Sequence, residues 1–314
     1  MFFVRERDNG DRRQLPPEKP MERMKEDERM ERESGMDITF FGTTTLLFDD
    51  GIDQVLFDGH FTRPSLLRLA VGTLETDTGV ADRLMQTYPM ERLRAVFVSH
   101  SHHDHVMDVP YIANTTGAEV YGSASTRNVA LGGGVPEEKI HLFEPFRPVA
   151  VGTFRITVIP SVHSEAKWYN DDLGQTIDEP LVQPARKRAY KEGGSVDFLI
   201  RHGERQYLIR PSFNFLEGQL DSVRADVLFL GIGGMGNAPE ETLRRFYSET
   251  IDKVLPEKVI PVHWDNFFTG LDRPVRFQPR VGDNTPRAMD HLARYCASKG
   301  IEFFVQYPLI RLRF

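Results

Sequence analysis

From residue 36 onward, short apolar runs alternate with turn residues. ITFF (38–41), TLLF (45–48) and QVLF (54–57) are broken by GTT and DDG, which predicts consecutive antiparallel strands paired as a meander. AVFV (95–98), AEVYG (118–122), FRITVIP (154–160), VDFLIR (196–201), RQYLIR (205–210), DVLFLG (226–231) and KVIPVH (258–263) continue the strand series. Helical periodicity falls between some of them: PSLLRLA (64–70), VMDVPYIANTTG after a histidine cluster, STRNVALGGG, PEETLRRFYSETIDKVL (239–255), and PRAMDHLARYCASKG (286–300), where proline opens and glycine closes the helix. The class is α/β with strands outnumbering helices, and the order fits two packed sheets covered by helices on their outer faces.

Residues 1–35 break this pattern. They mix charges of both signs, with prolines near the middle and almost no large aliphatic residues, so they cannot bury enough apolar surface to offset the entropy of ordering. A charged, disordered N-terminal tail is expected, with at most a short helix over 19–33 supported by Glu–Lys and Glu–Arg pairs. Residues 36–314 are expected to form a single domain. A chain of 314 residues with 40% apolar and 27% charged residues can build a large core. The formal charge of -7 and pI near 5.8 argue against general nucleic-acid binding. No apolar run reaches the roughly 20 residues that span a bilayer, and no secretory leader is legible, so a cytoplasmic protein is expected. Cys296 is the only cysteine. A metal would therefore be held by nitrogen and oxygen.

The candidate chemistry lies in SHSHHDH (99–105), which carries four of the ten histidines directly after AVFV. If the backbone stays extended past the strand, His100 and His102 share one side while His103 points to the other. Two imidazoles on a rigid strand end form half of a zinc site. Asp104 and His105, where the chain turns into a helix, can serve a second ion.

His100, His102, Asp104 and His105 match the H-x-H-x-D-H signature of the metallo-β-lactamase superfamily, which the chain resembles from about Met36 to Phe267. The resemblance implies an αββα four-layer sandwich with metals along one sheet edge, and it points to the lactonase and phospholipase-like branches. It implies that His163 (IPSVHS) completes the first metal set, that His263 (VIPVHWDNF) joins the second, and that Asp58 (VLFDGHF) supports the metal loop from behind. His60 and His103 have no counterpart as ligands. The family's bridging aspartate should follow RQYLIR, but PSFNF stands there, with Ser212 or Asn214 at the position. Neither neutral side chain supplies the anion that holds two cations about 3.5–4 Å apart. The expectation is Zn2+ bound tightly through His100, His102 and His163, with a weaker second ion; Fe or Mn also suits such ligands.

These residues predict a hydrolase using metal-activated water on a small ester, lactone, amide or phosphodiester, with Asp104 as a second-metal ligand or as the catalytic group that orients the water and takes its proton. A degenerate binding module, an iron-dependent oxidoreductase of the same fold, and a nuclease are the alternative readings. Residues 164–195 read as an inserted lid or pocket wall, bringing Trp168, Tyr169 and the basic run RKRAYK; Trp264 is a further pocket candidate. GIGGMGN (231–237) offers backbone N–H groups to an anion. The expected partner is a small-molecule substrate, and oligomeric state is not legible in the sequence.

Overall fold

Strand alternation sorts the apolar residues into two cores. In the computed structural model, which describes residues 35–167, 171–280 and 282–314, β1 (Asp37–Gly42), β2 (Thr45–Asp49), β3 (Gln54–Phe57), β4 (Leu93–Phe97), β5 (Glu119–Gly122) and β6 (Ile140–Leu142) lie in one sheet. β14 (Arg311–Arg313) pairs with β1 at its edge, giving the order β14-β1-β2-β3-β4-β5-β6. The second sheet runs β13-β12-β11-β10-β9-β8-β7, built from β7 (Val149–Val151), β8 (Phe154–Ser161), β9 (Ser195–His202), β10 (Arg205–Arg210), β11 (Val227–Gly231), β12 (Lys258–Val262) and β13 (Glu302–Phe303). The β1-β2-β3 meander is antiparallel as the turns predict.

Leu46, Phe48, Val55, Phe57, Ala95 and Phe97 pack with Ile156, Phe198, Ile200, Leu208 and Phe229 of the other sheet. Phe48 meets Phe57, Tyr207 and Phe229 edge-on at ring separations of 5.3, 5.4 and 5.9 Å. The intervening Leu47, Leu56, Val96 and Val98 face a separate cluster with α2 (Thr78–Thr87), α4 (Val109–Thr116) and α5 (Ala124–Gly132). Leu243 and Phe246 of α6 (Glu240–Glu249), with Leu292 and Cys296 of α8 (Thr285–Lys299), join the first cluster. The result is the αββα sandwich. Each fully buried Leu, Val or Phe contributes about 1.5–3 kcal/mol by leaving water, which is why both parities of the central strands are apolar.

Among the described residues there are also three short α-helices: α1 (Leu66–Val71), α3 (His103–Val106) and α7 (Ile251–Val254). The helix predicted over 239–255 is broken between α6 and α7 at Thr250, whose hydroxyl donates back to the Phe246 carbonyl at 2.5 Å and whose backbone leaves the helical region. Among the described residues, no helix is long and apolar enough to cross a membrane. Met36–Phe314 forms one compact unit, whereas the expected tail lies almost wholly outside the described residues.

The segment at 164–195 is packed down rather than detached. Ile177, Leu181 and Tyr190 enter the second core, Leu74 and Ala185 exchange backbone hydrogen bonds at 2.7 and 2.9 Å, and the Ser101 N–H donates to the Glu192 carbonyl at 2.8 Å. Trp168 and Tyr169 lie outside the described residues.

A buried ion pair sits where β9 begins and β10 ends. Arg210 stands 3.3 Å from Asp197, both almost fully enclosed. Burial, opposed by Arg210, pushes the Asp197 carboxyl up to about 6. The folded chain therefore holds a proton there between about pH 4 and 6 that the unfolded chain releases, and this contribution to stability is lost as pH rises through that window. Asp197→Asn removes it. In urea unfolding of the metal-free protein, stability is expected to climb more steeply from pH 4 to 6 in the variant than in the parent; equal slopes contradict the assignment.

Candidate metal centre

The strand ends bring the chemistry together. Asp58 follows β3, His100 and His102 follow β4, His163 follows β8, and His263 follows β12. Carboxyl ends of parallel strands are where open α/β sheets place ligands. Two sets of donor atoms result: His100, His102 and His163 form one, and Asp104, His105 and His263 the other, with the atoms of each set within 4.8 Å of one another. The two sets adjoin, since the rings of His100 and His105 are 3.8 Å apart.

Hydrogen bonds to the outer ring nitrogens decide which nitrogens face inward. His105 Nδ1–H donates to Asp58 Oδ2 at 2.7 Å, leaving Nε2 for the cluster, 3.7 Å from Asp104. The Ser99 hydroxyl donates to Asp58 Oδ2 at 2.9 Å and can accept from His100 Nδ1, 3.2 Å away. His100 Nε2 is then buried with no hydrogen-bond partner. His163 Nδ1–H donates to the Ser164 carbonyl at 2.9 Å, again freeing Nε2. His263 Nε2 lies 3.5 Å from Asp104 Oδ2. An enclosed, unpartnered imidazole nitrogen within a three-nitrogen set, beside a carboxylate with two more imidazoles, fits a divalent cation of zinc type.

Electrostatics agree with this. Burial, reinforced by neighbouring imidazoles, holds His100 well below the usual histidine range, and burial takes His163 to about 4. Both are neutral donors at physiological pH. Burial raises Asp104, but His105, His103 and His263 outweigh it, so its carboxyl stays well below the usual range and carries a full negative charge.

Asp58 is the hub behind the ligands. Besides His105 and the Ser99 hydroxyl it accepts the Ser99 N–H at 2.7 Å and a hydrogen bond from Thr44. Thr43, Asp58 and His263 all adopt left-handed backbone, at φ 53, 55 and 59°, a strained conformation for residues with side chains. They are tied together, since the His263 N–H donates to the Thr43 carbonyl at 2.5 Å. The neighbouring Gly42, at φ 90°, leaves room for Arg63, which pairs with buried Asp265 at 2.8 Å.

Several sequence expectations are altered. The strand ends at Phe97, so strand alternation is not what sets His103 apart. His103 opens α3 with its ring 6.2 Å from His60 and belongs to neither donor set. Asn214 stands behind a ligand: its amide nitrogen donates to the His163 carbonyl at 2.7 Å and its oxygen accepts the Phe215 N–H at 2.9 Å. Ser212 is buried at the turn after β10, where its carbonyl accepts the Asn214 N–H. Trp264 is a core residue against Phe277 and Tyr307 rather than a pocket wall. Phe267 lies nearer the donors, with its ring 5.2 Å from His263 and 6.3 Å from His60. At the GIGGMGN loop the chain brings up its own carboxyl: burial raises Asp283, while the backbone N–H groups of Gly234 and Gly236 lower it. His141, His202 and His291 pair with Glu119, Asp50 and Glu240, away from both donor sets.

Sequence reasoning missed Asp172. Its Oδ1 and Oδ2 lie 3.2 and 3.3 Å from His102 Nε2, yet it belongs to neither donor set. Within YNDDLG nothing in spacing or periodicity sets it apart.

An αββα sandwich with histidine-rich donor sets at its strand ends defines the metallo-β-lactamase class of hydrolytic enzymes. A family model described as a beta-lactamase superfamily domain matches residues 76–264, which include all six donors, and the chain belongs to that superfamily. It is 27% identical over 234 residues to a UPF0173 metal-dependent hydrolase of Heliobacterium modesticaldum, covering 73% of this chain and 83% of the relative. A protein of the same name from Methylobacterium nodulans is 26% identical over 244 residues, covering 74% and 86%. Among solved structures, Igni18, a metallo hydrolase from Ignicoccus hospitalis, superposes with a TM-score of 0.57 at 17% identity over 89% of this chain and 98% of its own. That likeness concerns the fold.

Proposed function

We propose that the protein is a metal-dependent hydrolase acting on a small ester, lactone, amide or phosphodiester. The observation that carries this reading is the convergence of two three-donor sets whose outer ring nitrogens at His100, His105 and His163 are occupied by hydrogen bonds, leaving the inner nitrogens available. His100, His102 and His163 would hold a first ion, zinc by donor chemistry, and Asp104, His105 and His263 a second. Such an ion, when bound, supplies Lewis-acid polarisation and lowers the pKa of water toward about 7. The chain supplies rigidity and charge. Asp58 fixes the His105 ring, and the strained His263 backbone is held by Thr43. Asp104 Oδ2 lies 3.7 Å from His105 Nε2 and 3.5 Å from His263 Nε2 within the second donor set, which favours the ligand role over that of general base. Neither Ser212 nor Asn214 adds an anion that two ions could share, which supports unequal affinities for the two ions.

The test is removal of metal with a chelator and reloading with zinc, iron or manganese against a panel of the four substrate classes. Hydrolysis of at least one class, lost on chelation and regained with metal, is expected. A protein that binds metal but hydrolyses none of them would overturn the reaction, and oxygen-dependent turnover with iron would favour an oxidoreductase.

A further inference from the structure

The inserted segment reaches the metal centre through one side chain. Asp172 lies in the stretch between β8 and β9, far along the chain from the SHSHHDH cluster, and both of its oxygens face His102 Nε2, at 3.2 and 3.3 Å. It is not among the residues whose donor atoms gather within 4.8 Å, so its carboxylate lies behind His102 and not among the ligands. A carboxylate only accepts, which places the proton of the neutral imidazole on Nε2.

We infer that Asp172 is a positioning residue for the metal centre: by holding the proton on Nε2 it fixes the His102 ring plane from within the inserted segment, so that the first ion set is shaped by that segment as well as by the strand ends. Outer carboxylates acting on ligating histidines orient the ring and raise its basicity, and losing one typically costs about 10- to 100-fold in metal affinity. The surrounding structure holds Asp172 for this task. The Glu192 N–H donates to Asp172 Oδ2 at 3.1 Å. The Glu192 side chain in turn accepts from the Gly174 and Gly194 N–H groups, each at 3.1 Å, and from the Ser195 hydroxyl at 2.6 Å. The Glu192 carbonyl receives the Ser101 N–H, next to His102, at 2.8 Å. The insertion is thereby fastened on both sides of the ligand it orients. Folding of the segment and the geometry of the first ion set are linked through Asp172.

This inference rests on the reading of His100, His102 and His163 as a metal site, and the experiment separates the two. Zinc affinity is measured by chelator competition on the full chain for the parent, Asp172→Ala, Asp172→Glu and Asn128→Ala, together with the thermal midpoint of each metal-free protein. Asn128 donates to the Ile177 carbonyl at 2.6 Å, so Asn128→Ala weakens the fastening of the same segment away from Asp172. The expected result is about a 10- to 100-fold loss of affinity for the tighter ion in Asp172→Ala, partial recovery in Asp172→Glu, and near-parental affinity in Asn128→Ala. In Asp172→Ala loaded with cobalt, the ligand-field absorption should also shift, which a simple loosening of the segment would not produce. Parental affinity in Asp172→Ala, or an equal loss in Asn128→Ala with no spectral change, overturns the positioning role. A parent that binds no zinc overturns the metal reading itself.

Discussion

Replacing His100 with alanine is expected to lower kcat/KM for the hydrolysed substrate by at least about 1,000-fold and to release the tightly held ion. The size follows from what a bound cation supplies, since water outside a metal site has a pKa near 15.7 rather than about 7. Two of three imidazoles remain, but an exchangeable ion held by two neutral nitrogens is lost to dialysis. The loss should not be one of folding. His100 is buried and strongly depressed in pKa, and its inner nitrogen has no partner in the chain, so the metal-free variant should be about as stable as the parent. Activity, metal per chain and urea midpoint measured together check this. Retention of a tenth of the parental activity with no bound ion would contradict it.

The second large effect is expected at Asp58, and it is of a different kind. Asp58→Ala strands the Ser99 N–H and the Ser99 and Thr44 hydroxyl protons in a fully enclosed space, and leaves His105 Nδ1 only the Thr44 oxygen at 2.9 Å and the Ser99 oxygen at 3.3 Å. Leaving buried donors unpaired costs about 1–3 kcal/mol each before relaxation, so a total loss of about 3–5 kcal/mol is expected in urea unfolding. Affinity at the Asp104, His105 and His263 set should also fall by about 10- to 100-fold, because the His105 ring loses the partner that fixes its tautomer. The two variants thus separate a ligand from its support. His100→Ala lowers activity with little loss of stability, whereas Asp58→Ala lowers both.

Much of this was legible in the chain because two strong local signals coincide with tertiary demands. Runs such as QVLF and AVFV are apolar at both parities because each strand is covered on both faces, and that pattern survives without knowledge of partners. The SHSHHDH cluster concentrates four imidazoles and a carboxylate within one strand-to-helix turn, so its chemistry is visible locally. What escaped notice depends on contacts distant in sequence. Asp172 meets His102 across 70 positions, and Phe267 reaches His60 from the far end of the chain. The edge strands β13 and β14 run for only two and three residues, too short for any periodicity. Trp264 was misplaced for a related reason: adjacency to His263 in sequence says nothing about direction once the backbone turns left-handed at φ 59°. Asp283, whose carboxyl lies close enough to feel the Gly234 and Gly236 backbone N–H groups of GIGGMGN, is likewise marked by no local pattern.

The number and order of bound ions test the central claim most directly. Crystals of dialysed protein, examined by anomalous scattering at the zinc edge and matched to metal content per chain, should show one ion among His100, His102 and His163. A second ion, between Asp104, His105 and His263, should be seen only after metal is added in excess. Two equally occupied ions surviving extensive dialysis would contradict the unequal pair, and no ion at either set in protein supplied with zinc would contradict the metal centre as a whole.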